Sequence, residues 1–266
     1  MKTNAKFTIT ILAENHAGAR FEAEHGLSYL IRVNGTSLLF DTGGSDLFIR
    51  NAKRLGIDLE NEPDLVVLSH GHWDHSGGLQ YLRRKHVIAH PDAFQKRYPK
   101  HSGENIGFEG NADFHNENHT VSLHREAAEI APNIWFLGEI PRKFDFEKQS
   151  YPYVLDNGSE DTITDDSAIA IKHNDVLVLI SGCAHAGICN THAHAKDVTG
   201  TKETRLIVGG LHLKNVDDRT LETIQYFQQE QVKELWPSHC TELPALAAFH
   251  KHFGGKFIKT GTIIQL

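Results

Sequence analysis

Four side chains of metal-ligating type lie within six residues, in the run His-Gly-His-Trp-Asp-His at residues 70–75. The run follows the apolar stretch 65–68, which is typical of a buried strand. His70 and His72 are two residues apart, so in extended backbone their imidazoles point to the same side, and Gly71 permits a tight path between them. The aspartate and the last histidine turn toward a neighbouring position as a helix begins near residues 76–78, which lets one loop supply two adjacent ions. This density of imidazole and carboxylate predicts a metal site.

Two further histidines follow later apolar runs, where strands would hold them. His185 comes after the run 176–181, and the glycines on either side of it let the backbone approach a crowded site. We expect it to bind metal, with a hydrogen-bonded core histidine as the alternative. His239 follows a short strand-like run and is also expected to bind metal. Its alternative is capping of the helix predicted from residue 243.

Three other polar residues at the ends of predicted elements are candidates for support or substrate contact. Asp41 is placed to accept a proton from a ligating imidazole, and a helix cap or turn before residue 47 has equal weight. His212 closes a strand-like run and is expected to contact substrate or the transition state. Arg142 is a candidate anion clamp, because guanidinium matches phosphate in a bidentate way, with a surface cation as the alternative. Seven histidines are expected at the surface: His16, His101, His115, His192, His194, His250 and His252.

The elements that must position these residues form an α/β pattern. Strand-type apolar runs recur along the chain, and helical patterns lie at residues 47–55, 79–84, 221–227 and 243–253. Asn34-Gly35 and Asn174-Asp175 separate pairs of runs and predict hairpins. Two sheets with helices outside would accommodate the pattern as one domain over residues 1–266, with irregular excursions around 100–118 and 145–166.

Composition restricts the partners of the chain. The 266 residues carry a formal net charge of −7 with no block of lysine and arginine, which argues against nucleic-acid binding. No apolar run approaches the roughly 20 residues that span a bilayer. Three cysteines without a paired spacing favour a reducing cytoplasm over a disulfide framework. The metal site predicted at residues 70–75, and not the composition, makes a small anionic molecule the expected partner, and the sequence makes no prediction of oligomeric state.

The run at residues 70–75, preceded by Leu-Leu-Phe-Asp-Thr-Gly at 38–43, resembles the HxHxDH motif of the metallo-β-lactamase superfamily. The resemblance implies an αββα four-layer sandwich of a metal-dependent enzyme. More narrowly, the chain resembles the branch of the dihydropterin-methyl-ribofuranosylaminobenzene-phosphate synthases. The blocks that carry this second resemblance are residues 24–28, 69–79, 90–91, 138–142, 165–166, 182–187, 209–213 and 239–241.

Motif and resemblance together give a full set of expected site residues. The expected metal ligands are His70, His72, Asp74, His75, His185 and His239. Asp74 and His212 are expected in catalysis, and Asp41, His90, Arg142 and Cys183 in support or substrate binding. The chain departs from the superfamily where the usual Gly-Asp is Gly182-Cys183. Cys183 is interpreted as a ligand or as a packed small side chain, and Asp165 or Asp166 as a replacement carboxylate or as a turn residue.

A ligand set rich in nitrogen suits Zn²⁺, with Mn²⁺ or Fe²⁺ as alternatives, and two ions are expected. The branch implies a synthase in which the metals stabilise a departing diphosphate. The alternative is a hydrolase of phosphodiesters, lactones or other esters that uses a metal-bound hydroxide. A third hypothesis is a metal-stabilised binding protein without turnover. A nuclease is disfavoured by the lack of a basic surface, and a di-iron reductase by His72, where that class has glutamate.

Overall fold

The computed structural model describes residues 7–108 and 118–266, and part of the predicted excursion 100–118 lies outside these ranges. The described chain forms two compact units. The first contains the described residues up to Leu123, with Val154–Ser159 and Ile258–Leu266, and the second contains His124–Tyr153 and Glu160–Phe257. The single domain over residues 1–266 stays a prediction.

Strands and helices alternate along the described chain. The strands are β1 (Thr8–Ala13), β2 (Ser28–Val33), β3 (Thr36–Phe40), β4 (Leu65–Val67), β5 (His86–Ala89), β6 (Arg97–Pro99), β7 (Thr120–Leu123), β8 (Ala128–Ala131), β9 (Ile134–Phe136), β10 (Tyr153–Leu155), β11 (Ala168–His173), β12 (Val176–Ser181), β13 (Thr204–Gly210), β14 (Glu234–Ser238) and β15 (Ile263–Gln265). The α-helices are α1 (Leu47–Arg54), α2 (Trp73–Ser76), α3 (Ile188–Thr199), α4 (Asp218–Gln229) and α5 (Leu243–Phe253). Short 3₁₀ helices lie at Gly77–Tyr81, Pro91–Phe94 and Asp145–Glu147.

The first unit is built on a seven-stranded sheet in the order β15-β1-β2-β3-β4-β5-β7. Asn34 and Gly35 join β2 to β3 with φ angles of 53° and 83°, so the predicted hairpin is confirmed. β3, β4, β5 and β7 run parallel, and helix α1 packs Phe48 and Ala52 into the apolar core of this unit. Because parallel strands end at the same edge, the residues that follow β3, β4 and β5 share that edge.

The second unit has a six-stranded sheet in the order β14-β13-β12-β11-β9-β8. Asn174 and Asp175 form the second predicted hairpin, between β11 and β12. β12, β13 and β14 are parallel, and each is followed by one of the predicted site segments. Helices α3, α4 and α5 contribute Ala195, Phe227 and Phe249 to the core of this unit.

Three sequence expectations need correction. The helix predicted at 79–84 is the 3₁₀ helix Gly77–Tyr81, and helix α3 was not predicted. His192, expected at the surface, is buried in α3, where its Nε2 lies 2.7 Å from Thr204 Oγ1 and its Nδ1 lies 3.0 Å from Tyr226 Oη. Both ring nitrogens thus find partners inside the protein, which allows an imidazole to occupy the core. His115 lies outside the described residues.

Candidate metal centre

The loop after β4 is held in a narrow space in the first unit. A methyl group on Gly71 would lie 1.9 Å from the carbonyl oxygen of Ala93, so only glycine fits here. His72 immediately precedes helix α2 in extended conformation, and the helix begins at Trp73, earlier than predicted. The backbone N–H of Thr42 donates to the His75 carbonyl at 2.7 Å, which ties the far end of the loop to the end of β3.

One buried carboxylate orients two of the predicted ligands. Asp41 is fully buried, and its oxygens accept hydrogen bonds from Ser69 N, Ser69 Oγ and His75 Nδ1, each at 2.7 Å. Because Ser69 Oγ donates its proton to Asp41, it accepts from His70 Nδ1 at 2.9 Å. Both histidines therefore carry a proton on Nδ1, which leaves the Nε2 of each neutral ring able to act as a metal ligand. The helix-cap alternative for Asp41 is wrong, since Asp46 occupies that position.

The spacing of the first two histidines suits a metal ion. His70 Nε2 lies 2.9 Å from His72 Nδ1, and both rings are buried. Two nitrogens on a tetrahedral zinc are roughly 3.3 Å apart, given Zn–N bonds of about 2.0–2.1 Å. The described donors thus fit zinc after a small change in position. Asp74 is also buried, with one carboxylate oxygen 3.2 Å from His25 Nε2 and 3.8 Å from His75 Nε2.

His90, predicted to support the site or contact substrate, follows β5. It is fully buried, and its Nδ1 accepts a hydrogen bond from Asp92 N at 3.1 Å. In the structure it therefore caps the 3₁₀ helix Pro91–Phe94. A role in substrate binding stays a prediction.

The second unit brings Cys183, His185 and His212 together. One ligand atom of each lies within 4.8 Å of the others, and the two imidazole centroids are 4.5 Å apart. Tyr151 packs edge-on against both rings and donates a hydrogen bond to the His185 carbonyl at 2.9 Å. Burial raises the pKa of the Tyr151 hydroxyl, so it stays protonated as a donor. Cys183 is itself buried, in agreement with both interpretations of this thiol.

His239 and Cys240 follow β14 and form a second group with Cys183, again with ligand atoms within 4.8 Å. Helix α5 begins after Glu242, so the capping alternative for His239 is wrong. Cys240 Sγ accepts a hydrogen bond from His212 N at 3.3 Å. Burial alone would raise the pKa of the Cys240 thiol, but a hydrogen bond with Cys183 and the adjacent imidazoles hold it well below its usual value.

Several site residues adopt left-handed backbone that side chains other than glycine rarely accept. The φ angles are 56° at Asp41, 55° at Ala184, 50° at His212 and 51° at His239. Each lies just after a strand and next to a candidate ligand or is one itself. Such conformations cost of order 1–3 kcal/mol and concentrate at functional sites. Backbone strain after strands in both units supports the assignment of functional residues to these strand ends.

Asp165 and Asp166 are both buried ahead of β11. Asp166 Oδ2 accepts a hydrogen bond from Ala186 N at 2.9 Å, which makes it a partner of the loop that carries His185. Burial raises its pKa to about 7. Arg142 is exposed and donates to the carbonyls of Thr162 and Ile163.

Within each unit the structure therefore groups the predicted residues. In the first it joins Asp41, His70, His72, Asp74 and His75, and in the second it joins Cys183, His185, His212 and His239. Three further residues take part in these groups without having been predicted from the sequence: Ser69, Tyr151 and Cys240. Ser69 was detectable, since a hydroxyl directly before the first histidine can reach its Nδ1. Tyr151 comes from an irregular segment without a periodic pattern.

Comparisons with known proteins agree with this arrangement. The Lactamase_B family model, described as the metallo-beta-lactamase superfamily, matches residues 22–92. An uncharacterised protein of Methanocaldococcus jannaschii is 33% identical over 245 residues, which cover 90% of this chain and 92% of the relative. A 7,8-dihydropterin-6-methyl-4-(β-D-ribofuranosyl)-aminobenzene-5'-phosphate synthase of the same organism is 30% identical over 282 residues, with coverage of 97% and 96%. A crystal structure described as a metal-dependent hydrolase of the β-lactamase superfamily has a TM-score of 0.85 and 30% identity, and the match covers 98% of this chain and 99% of that one.

The chain belongs to the metallo-β-lactamase superfamily, and the predicted α/β fold class is confirmed. Within the superfamily it is similar, over nearly its whole length, to the synthase branch that its motifs indicated. Among the described residues, no helix is long and apolar enough to cross a bilayer.

Proposed function

We propose that the chain is a metal-dependent enzyme, and that the ligand groups described above bind its metal. The residues that would hold the metal are His70, His72, Asp74, His75, His185 and His239. The observation that carries the proposal is the hydrogen-bond network in which Asp41 fixes the protonation of two histidines. A structural role for these histidines would not require both rings to present Nε2 as an acceptor.

Zinc is the ion that this nitrogen-rich donor set fits, and two ions are proposed, with Mn²⁺ or Fe²⁺ as alternatives. Bound metal would supply positive charge next to an anionic leaving group. The neighbouring side chains act directly on the substrate in this proposal. Asp74 accepts a proton from the attacking group, and His212 contacts the reacting centre. The Tyr151 hydroxyl fixes the backbone of His185 through its hydrogen bond.

The proposed substrates are a dihydropterin-methyl diphosphate and an arylamine that carries a ribofuranosyl phosphate. The arylamine nitrogen attacks the pterin methylene carbon, the C–N bond forms as the C–O bond to diphosphate breaks, and the amine proton leaves. The synthase relative, 30% identical across 97% of this chain, supports this reaction. Both substrates are anions, in agreement with a cation-bearing site.

The test measures diphosphate release from the pterin substrate by zinc-loaded protein, with and without the arylamine. We expect diphosphate release that depends on the arylamine, with one mole of diphosphate released for each mole of condensation product formed. An alanine variant at His70 should abolish both signals without loss of folded structure. Diphosphate release at the same rate without the arylamine would overturn the synthase assignment.

A hydrolase is the second candidate function, because a solved structure that matches this chain with a TM-score of 0.85 is described as a metal-dependent hydrolase. In that case the same protein would cleave phosphodiester or lactone probes and would form no condensation product. The two candidates therefore give opposite results in one experiment. A metal-binding protein without turnover would give neither product.

A further inference from the structure

A pocket of about 380 Å³ lies wholly within the second unit, between the segments 139–142 and 162–166. Its apolar lining comes from Ile140, Pro141, Ile163 and Ala186. Its polar lining includes Arg142 and Asp166. Small-molecule sites commonly have volumes of roughly 300–1,000 Å³, so this pocket suits one small ring system.

Asp166 gives the pocket a specific chemical character. The residue is 1% exposed and lines the pocket, and its Oδ2 accepts from Ala186 N at 2.9 Å. Its Oδ1 is buried and has no hydrogen-bond partner among the described residues. Buried polar atoms are nearly always satisfied, because a buried acceptor without a donor has lost the hydrogen bonds that water would give it. The missing donor is therefore expected from a ligand, as an N–H group.

The segment that carries Asp166 also holds a strained residue. Ile163 has a φ of 52°, which is an outlier for a β-branched side chain. It is held there by the Asp161 carboxylate, which accepts from Ile163 N at 2.8 Å, and by Arg142, which donates to its carbonyl oxygen at 3.4 Å. Strain that the surrounding contacts maintain is typical of ligand clamps. The Asp166 N–H donates to the Ile163 carbonyl at 3.3 Å, so the strained residue and the carboxylate belong to one turn of the pocket wall.

We propose that this pocket binds the aminopyrimidine ring of the pterin substrate, with the Asp166 carboxylate accepting an N–H from the amino-bearing edge of the ring. Apolar side chains cover the ring faces, and Arg142, at the exposed side, binds the ring carbonyl or the diphosphate. The choice of a pterin rests on the proposed function. The need for an N–H donor on a flat ligand rests on the pocket alone.

The test uses 6-hydroxymethyl-7,8-dihydropterin, which has no leaving group and therefore only binds. Its dissociation constant is measured by calorimetry with the zinc-loaded chain and with the Asp166→Asn variant. In that variant the amide oxygen still accepts the hydrogen bond from Ala186 N, so the amide N–H₂ group faces the N–H donor of the ligand. Two donors then oppose each other where the carboxylate accepted a hydrogen bond. The expected result is at least tenfold weaker binding. Glu222→Gln makes the same kind of change at an exposed carboxylate of helix α4 that does not line the pocket, and it should leave the constant unchanged.

A second measurement needs no variant. The matching lumazine, in which a carbonyl replaces the amino group, should bind the unmodified chain at least tenfold more weakly than the pterin. Equal affinity for the two compounds, no pterin binding, or equal effects of the Asp166 and Glu222 changes would overturn the assignment. If the chain forms the condensation product and the Asp166→Asn variant binds the pterin as tightly as the unmodified chain, the pocket assignment is refuted and the synthase proposal is not. If the chain binds the pterin more tightly than the lumazine but forms no condensation product, the synthase proposal is refuted and the pocket assignment is supported.

Discussion

Asp41→Asn is the change that tests the orientation of the ligand histidines most sharply. The carboxylate accepts three hydrogen bonds of 2.7 Å, two from Ser69 and one from His75 Nδ1. If the asparagine oxygen keeps the bond from Ser69 N, its N–H₂ group faces His75 Nδ1. That nitrogen must then become an acceptor, and the proton moves to Nε2. The variant thus blocks the nitrogen that we assign to the metal.

Loss of such an orienting partner lowers metal affinity by roughly 10–100-fold, or about 1.4–2.8 kcal/mol. The assay is competition for zinc against a chromophoric chelator at neutral pH, with circular dichroism to confirm that the variant is folded. Asp64→Asn is the matched control, because it makes the same change at an exposed position next to the start of β3, where Asp64 accepts from Ser37 N. Zinc affinity of Asp41→Asn within twofold of the unmodified protein would refute the reasoning.

Three further predictions concern stability. Burial lowers the pKa of His192 to about 4, so the unfolded chain binds a proton below its usual value of 6.5 while the folded chain does not. The free energy of unfolding should therefore fall by about 2 kcal/mol between roughly pH 8 and pH 5 on this account. The His192→Asn variant, treated with chelator and unfolded with denaturant at both pH values, should not show this fall in the free energy of unfolding. An equal fall in the variant would show that His192 is not its source. Gly71→Ala, whose methyl would meet the Ala93 carbonyl, should cost about 1–3 kcal/mol in the same assay and reduce bound zinc. Glu147→Gln should cost about 1–3 kcal/mol, because the carboxylate accepts from Cys189 N and Asn190 N at the start of α3, whereas exposed Asp145→Asn should cost little.

The fold was largely predictable from local patterns. Both hairpins follow from turn residues that accept positive φ, and α5 spans the predicted residues 243–253. Helix α3 was not predicted because its sequence has no clear apolar stripe. His192 lies on its buried face but is a polar residue type. Its start is fixed by Glu147, which lies 42 residues before Cys189 in the sequence and accepts from its backbone N–H. A cap from so distant a segment leaves no local signal.

The metal-ligating residues of the candidate site were predictable from the sequence, whereas the residues that orient them were less predictable. Histidines at residues 70–75 are dense enough to indicate metal by themselves. The role of Asp41 stayed balanced between two interpretations, since only the folded register of β3 beside β4 brings it to Ser69 and His75. The unsatisfied oxygen of Asp166 is likewise a property of packing, because it depends on which donors the surrounding segments lack.

The central claim is that the predicted histidine ligands bind metal. Anomalous diffraction at the zinc edge, from crystals of the zinc-loaded chain, tests it directly. The account predicts zinc peaks at coordination distance from His70 and His72 and also from His185. Zinc bound only at other residues would contradict it.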